Sequence, residues 1–237
     1  MTPYSNCENK TSAAMKTILL KTLLLFAFQG HAQLMSSRLS GIEIRAGGIL
    51  SSFHDQPSDA SANKLLVGYD LGIGARFALA QAWSISGGLS LMRKGFRNST
   101  EVYFGDPGQL QLGTLTSITK LTYLVVPVTV DYYPDQSRRV KIGLGFFGAR
   151  LLKAQDITEM SWRGRDVYGR TDDYQRYDFG LIASLSYSTF KLGQFALSPC
   201  LQFHYGLTSI SSENTAAGFQ GAKNSSLLIG FVITKSK

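Results

Sequence analysis

Residues 121–151, LTYLVVPVTVDYYPDQSRRVKIGLGFFGARL, decide the fold. In steps of two, the first half places Leu124, Val126, Val128, Val130 and Tyr132 on one face and Tyr123, Val125, Pro127, Thr129 and Asp131 on the other. That period belongs to a strand. The second half repeats it, with Val140, Ile142, Leu144 and Phe146 against Arg139, Lys141, Gly143 and Gly145, and Pro134-Asp135-Gln136-Ser137 supplies turn chemistry between them. The stretch reads as one antiparallel hairpin. Each arm is about ten residues long, the length a tilted strand needs to cross a bilayer. A soluble sandwich would point its apolar face into a shared core. A closed barrel with lipid outside and polar groups inside accounts for both the strand length and the polar second face.

The same alternation recurs along the chain. Ser40 to Phe53 sets Ile42, Ile44, Ala46 and Leu50 opposite Glu43, Arg45 and Gly47. Leu65 to Phe77 sets Leu65, Val67, Tyr69, Leu71, Ile73, Ala75 and Phe77 against Gly68, Asp70, Gly72, Gly74 and Arg76. Trp83 to Leu91, Asp178 to Tyr187, Phe195 to Tyr205 and Ser225 to Thr234 follow suit. With the central hairpin these make eight strands, an even number as closure favours. The expected fold is all-β, an eight-stranded antiparallel up-and-down transmembrane β-barrel preceded by a signal peptide. Connections alternate from long (54–64, 93–119, 153–176, 208–224) to short (78–82, 134–138, 188–194). In outer-membrane barrels the short turns are periplasmic, which places both termini in the periplasm of a Gram-negative cell. Phe53, Phe96, Tyr123, Tyr177 and Tyr205 near the loop ends, and Phe77, Trp83, Tyr132, Tyr187 and Phe195 near the turn ends, predict two interfacial girdles.

Ahead of the strands, Ile18 to Phe28 is the one long apolar stretch, behind Met15-Lys16 and Lys21 and before Gly30-His31-Ala32-Gln33. A basic start, a short apolar run and small residues before a cut after Ala32 describe a secretory signal peptide. The chain therefore divides into an N-terminal extension with cleavable leader, 1–32, and a barrel domain, 33–237, with Met15 as an alternative start to Met1. Removing the leader takes Lys10, Lys16, Lys21 and Glu8, leaving 24 basic residues less three against 16 acidic less one, or +6. This excess suits contact with outer-membrane lipid and lipopolysaccharide and is too scattered for nucleic acid. Cys7 goes with the leader and Cys200 is left alone, so neither a disulfide framework nor a CxxC metal site is expected, and no cofactor is implied.

Three short motifs carry a family resemblance: Tyr123-Leu-Val-Val-Pro127 entering strand four, Asp178-Phe-Gly180 opening strand six and Tyr205-Gly-Leu207 closing strand seven. With the leader ending in Ala32-Gln33, the chain resembles the PorT-like outer-membrane β-barrel proteins of Bacteroidetes over roughly Ser40 to Thr234. The resemblance implies a barrel of the cell envelope and, through the family's namesake, an envelope or secretion-system protein as partner. The chain departs from the pattern at Phe231-Val-Ile-Thr-Lys-Ser-Lys237, where such barrels usually finish on an aromatic residue.

Eight strands leave an interior that side chains fill. The inward set Glu43, Arg45, Asp70, Arg76, Asp131, Arg139, Lys141, Asp178 and His204 holds both signs, and buried charges must be paired. It reads as a structural ion-pair plug in preference to a transport lining. Catalysis would need a nucleophile, a base and an orienter within reach of one another; His54 and His204 are the only histidines past the leader, and no catalytic set is assigned. A lipid-modifying barrel enzyme, a narrow diffusion pore and a soluble sandwich are the competing readings. Pro127 and Pro199 cannot donate ladder hydrogen bonds and mark bulges or local breaks. The stretch 153–176 interleaves Trp162, Arg163, Arg165, Tyr168, Arg170 and Tyr174, the composition of an external contact loop. The sequence thus predicts a non-enzymatic barrel that binds a partner or supports an envelope assembly through its loops or periplasmic face.

Overall fold

The computed structural model describes residues 39–54, 64–106, 109–210 and 221–236. The leader and its cut, the alternative start, and the connections over 55–63 and 211–220 lie outside the described residues. Ten strands follow one another: β1 (Leu39–His54), β2 (Lys64–Ala80), β3 (Trp83–Phe104), β4 (Gln111–Tyr132), β5 (Val140–Met160), β6 (Gly164–Gly169), β7 (Tyr177–Tyr187), β8 (Phe190–Leu192), β9 (Phe195–Gly206) and β10 (Lys223–Ser236). Eight of them form an antiparallel ring in the order β1-β2-β3-β4-β5-β7-β9-β10, which closes where β10 pairs with β1. The two short ones are satellites: β6 pairs with the outer part of β5, and β8 folds back on the start of β9.

Burial alternates residue by residue, and it is inverted relative to a water-soluble sheet. Along β7, Tyr177, Phe179, Leu181 and Leu185 are exposed while Asp178, Gly180, Ile182 and Ser186 are buried. Leu144, Phe146, Ile229 and Phe231 are likewise more than half exposed. A continuous apolar outer belt of this kind needs a non-aqueous solvent. At the turn end it is rimmed by Trp83, Tyr132, Tyr187 and Phe195, with the Trp83 and Tyr132 rings 4.8 Å apart. At the other end Tyr177 and Tyr205 stand outward, and His54 stacks on Tyr205 at 4.4 Å. The runs from Tyr187 to Tyr177 and from Phe195 to Tyr205 each match the roughly ten residues of a tilted membrane strand.

Three of the expected girdle aromatics are elsewhere. Phe53, Phe96 and Tyr123 point inward and, with Ile49, Met92, Leu121, Phe147 and Leu228, fill the loop end of the barrel with an apolar plug. Parity wins over proximity to a strand end: all three share the inward face with Ser51, Lys94 and Val125.

The stretches expected as long loops at 93–119 and 153–176 are largely strand. β3 and β4 stay paired from Trp83↔Tyr132 to Phe104↔Gln111, and β5 continues to Met160 before turning back as β6. β-Branched and aromatic residues sustain the ladder there, Thr100, Val102, Tyr103 and Phe104 on β3 and Thr114 and Thr116 on β4. Beyond the apolar belt no lipid enforces the two-residue period, which is why the alternation fades in sequence. The result is a sheet, β3-β4-β5-β6, projecting past the barrel.

Neither proline sits in a register shift; both interrupt ladders. The β3–β4 pairs lapse between Gly87↔Val128 and Ser90↔Val125, beside Pro127, without a change of register. Just before Pro199, β9 exchanges β7 for β8 as its neighbour. The bulges themselves lie at Leu65/Asp70 and Ala78/Ala80 between β2 and β3, and at Thr122/Tyr123 between β4 and β5.

Candidate functional site

Two places concentrate polar and aromatic side chains, the lumen and the projecting sheet. In the lumen, inward positions near the turn end bring Glu43 of β1, Arg76 of β2, Asp131 of β4 and Lys141 of β5 into one network. Arg76 donates to Glu43 and lies 3.3 Å from Thr234 Oγ1. Lys141 Nζ bridges Glu43 at 3.4 Å and Asp131 at 3.7 Å. The second acceptor is further held by the Ser86 and Thr129 hydroxyls, at 2.5 and 3.0 Å. Higher up, Arg45 Nε reaches Asp70 at 2.6 Å. Each charge thus has a partner, as burial demands.

The remaining expected members separate from this network. Asp178 lies in the apolar plug, 3.9 Å from the fully buried Lys94 and hydrogen-bonded by Asn224 Nδ2 at 3.2 Å and Thr208 Oγ1 at 3.1 Å. Lys94 rests on the Phe147 ring at 4.4 Å. His204 is buried against the same ring, 5.1 Å between centroids, and its two nitrogens have no hydrogen-bond partner among the described residues. Arg139 is not in the lumen at all: it is exposed in the β4–β5 turn, where the strand parity that placed it inward no longer applies. Lys94, in turn, was hidden by treating residues from 93 onward as loop. Continuing the alternation past outward Leu91 puts Met92 and Lys94 together on the inward face, a cation among apolar neighbours.

Between the charged network and the plug lies a cavity of about 60 Å³ lined by Glu43, Arg45, Ser86, Lys141, Cys200 and Gln202. It has room for a few waters. Among the described residues Cys200 is a free thiol, and no group of three or more His, Cys, Asp or Glu side chains is arranged for a metal.

On the projecting sheet, Trp162 at the β5–β6 tip stacks on Phe104 at the end of β3, 4.3 Å apart. Ser161 joins the hairpins, accepting from Thr114 N at 3.0 Å and donating its own amide to the Thr114 carbonyl at 3.1 Å. Arg163, Arg165, Tyr168 and Arg170 are exposed along this hairpin, and Tyr103 on the neighbouring β3 is 72% exposed. Arg165 meets Glu159 at 3.6 Å, Arg170 meets Asp173 at 3.8 Å, and Arg170 also covers the Tyr168 ring at 5.9 Å. Tyr174, expected among these contact residues, is instead buried beneath the hairpin. Its hydroxyl donates to Asp156 Oδ1 at 2.9 Å and lies near Thr119, and burial raises the phenol's pKa above its ordinary value. A polar acceptor inside the fold draws this tyrosine inward.

The Neisserial surface protein A structure is 12% identical, with a TM-score of 0.43, covering 83% of this chain and 97% of that one. Ail, the attachment invasion locus protein of Yersinia pestis, is 12% identical with a TM-score of 0.39, covering 83% and 99%. OprG of Pseudomonas aeruginosa is 13% identical with a TM-score of 0.40, covering 84% and 98%. No curated protein matches the chain. The description "Outer membrane protein beta-barrel domain" matches residues 31–212, most of the sequence. That match spans more than half of the sequence, the closed antiparallel ring with its apolar outer belt agrees with it, and the chain belongs to the outer-membrane β-barrel domain family.

Proposed function

We propose that this outer-membrane barrel is a closed, non-enzymatic platform that presents the β3-β4-β5-β6 sheet to a protein partner. The observation that carries the reading is the sheet itself. It extends past the apolar belt and displays Tyr103, Trp162 and Tyr168 beside Arg163 and Arg165, aromatic and Arg chemistry of the kind that dominates binding hot spots. The lumen offers no comparable site: the plug fills one end and the ion pairs satisfy one another. His204 has no hydrogen-bond partner among the described residues to orient it as a general base. The short turns at Gln81–Ala82 and Tyr133–Arg139 support a periplasmic position for that end, with both termini there and the projecting sheet outside. The resemblance to PorT-like proteins supports an envelope or secretion assembly as the class of partner.

Affinity capture from native outer membranes tests this, comparing the full chain with a Trp162→Ala/Tyr168→Ala variant. A partner retained by the unmodified chain and lost by the variant is expected. Identical recoveries from both, or no partner from either, would remove the platform reading.

A further inference from the structure

Where the apolar belt ends, the outward positions of β3, β4 and β5 turn cationic. Register gathers them. Arg93 pairs with Thr122, which pairs in turn with Lys153; Gly95 pairs with Lys120; and Leu124 pairs with Arg150. Arg97 lies one outward position beyond Gly95. Neighbouring strands are about 4.8 Å apart and successive outward residues about 7 Å apart, so five cations share a patch three strands wide. Arg93 sits over the Tyr69 ring at 4.9 Å. Arg97, Lys120, Arg150 and Lys153 meet no carboxylate among the described residues, whereas Arg165 on the projecting sheet and Arg170 and Arg176 in the segment that follows it each have one.

Immediately below runs a groove of about 320 Å³ across the outer face of β1–β4, lined by Ile44, Leu71, Ile73, Leu89, Leu91 and Leu124. Leu91 and Leu124 face each other across the ladder, and the next outward pair along is Arg93 and Thr122. An apolar slot therefore runs up to the edge of an unneutralised cationic patch. A ligand matching both has an acyl chain and more than one phosphate, because five cations spread over three strands and about 20 Å of their length exceed what a single phosphate can reach.

We propose that this face binds a bisphosphorylated, acylated glycolipid of the outer leaflet, with phosphates on Arg93, Lys120, Arg150 and Lys153 and an acyl chain along the Leu91–Leu124 groove. The assignment to the outer leaflet rests on the orientation proposed above. A basic patch at headgroup level over a lipid-facing slot is the arrangement that lipid phosphates recognise.

The test uses the full chain purified in detergent and native mass spectrometry with three probes: bisphosphorylated lipid A, the same lipid with both phosphates removed, and phosphatidylglycerol. The unmodified chain should prefer the bisphosphorylated lipid. In Lys120→Gln/Arg150→Gln/Lys153→Gln that affinity should fall at least about tenfold, with binding of the dephosphorylated lipid unchanged. Ala46→Phe, which crowds the groove, should weaken both. Arg139→Gln/Lys191→Gln/Lys235→Gln removes as many charges at the opposite end and should bind as the unmodified chain does. Equal binding of phosphorylated and dephosphorylated lipid, or an undiminished triple variant, would overturn the site. A patch-dependent preference for phosphatidylglycerol would overturn the glycolipid assignment. Orientation is read separately, by labelling Ser161→Cys in a Cys200→Ser background on intact cells with an impermeant maleimide. Absence of label there would sink the orientation, and with it the glycolipid as natural occupant, whatever binds in detergent.

Discussion

Gly143 faces Asp131 across the β4–β5 ladder, and a Cβ at that position would run into the Asp131 carboxylate and the Ser184 hydroxyl. The inward glycine is what lets a carboxylate, a hydroxyl and the Lys141 stem share one level of a narrow barrel. Lys141→Ala should therefore destabilise by about 3–5 kcal/mol, because Asp131 loses the one cation it is salt-bridged to among the described residues and Glu43 one of two. Urea titrations of the barrel folded into lipid vesicles check this. Recovery of stability on adding Asp131→Asn is expected, since that change removes the stranded charge while Glu43 keeps Arg76. On the outer face Leu144 is 64% exposed to the apolar solvent. Leu144→Arg should cost about 2–4 kcal/mol at the midplane in the same titrations. A loss no larger than that of Leu144→Ala would show that this face does not meet lipid. Parity made both residues legible in the sequence. It did not extend to Arg139, because a turn ends the alternation and a side chain one residue past a strand answers to the turn.

The β4–β5 turn is built around Asp135. Its carboxylate accepts from the Ser137 hydroxyl and from the amides of Arg139 and Val140, at 3.0 and 3.1 Å, while Arg138 adopts a φ of 52° to close the loop. The Ser137 hydrogen bond, seconded by the two amides, holds the Asp135 pKa below the ordinary carboxylate value. A depressed folded pKa means the contribution is fully present above the unfolded pKa and is lost as the pH falls through the folded one. Amide-exchange protection at Arg139 and Val140 should decline over that acidic window, and Asp135→Asn should abolish the pH dependence. At the other end of the barrel, the β5–β6 hairpin is a separable element. Trypsin should cut at Arg163 or Arg165, both exposed, and leave a barrel that still resists unfolding in cold detergent. Loss of the folded band on gel electrophoresis after that cut would mean the hairpin supports the ring. The turn was readable from Pro134-Asp135-Gln136-Ser137. The hairpin was readable only as composition, because outside lipid both faces of β5 and β6 are mixed and no period separates inside from outside.

At the scale of the whole chain, ring closure and the apolar belt follow from eight runs of alternating residues. The division of the interior does not. Counting charges suggested one plug of ion pairs, whereas the molecule has two layers: a charge-paired network toward the turns and an apolar plug of Phe53, Phe96, Tyr123 and Phe147 toward the projecting sheet. The aromatics were legible as aromatics, but their position near strand ends suggested a girdle, and only the register decides which way a ring points. Two layers in series should leave no continuous water path. Planar-bilayer recordings of the unmodified protein are expected to show no stable conductance, and Arg76→Ala is expected to lower stability without opening a steady channel. A reproducible ohmic current from the unmodified protein would require the plug to be mobile and would recast the charged layer as a selectivity lining.

β3 and β4 are each 22 residues long, twice the length of β7. Past Arg93 the eleven residues from Lys94 to Phe104 add roughly 35 Å of strand at about 3.3 Å per residue. Their partner strand turns this length into a strut with a fixed hydrogen-bonded register, so the tip carrying Trp162 and Phe104 behaves as the end of a ruler. Anything gripped there is held at a set stand-off from the bilayer. Deleting matched dipeptides from all the neighbouring strands, two residues at a time so that side-chain parity is kept, would shorten that gap in discrete steps while leaving the ring beneath untouched.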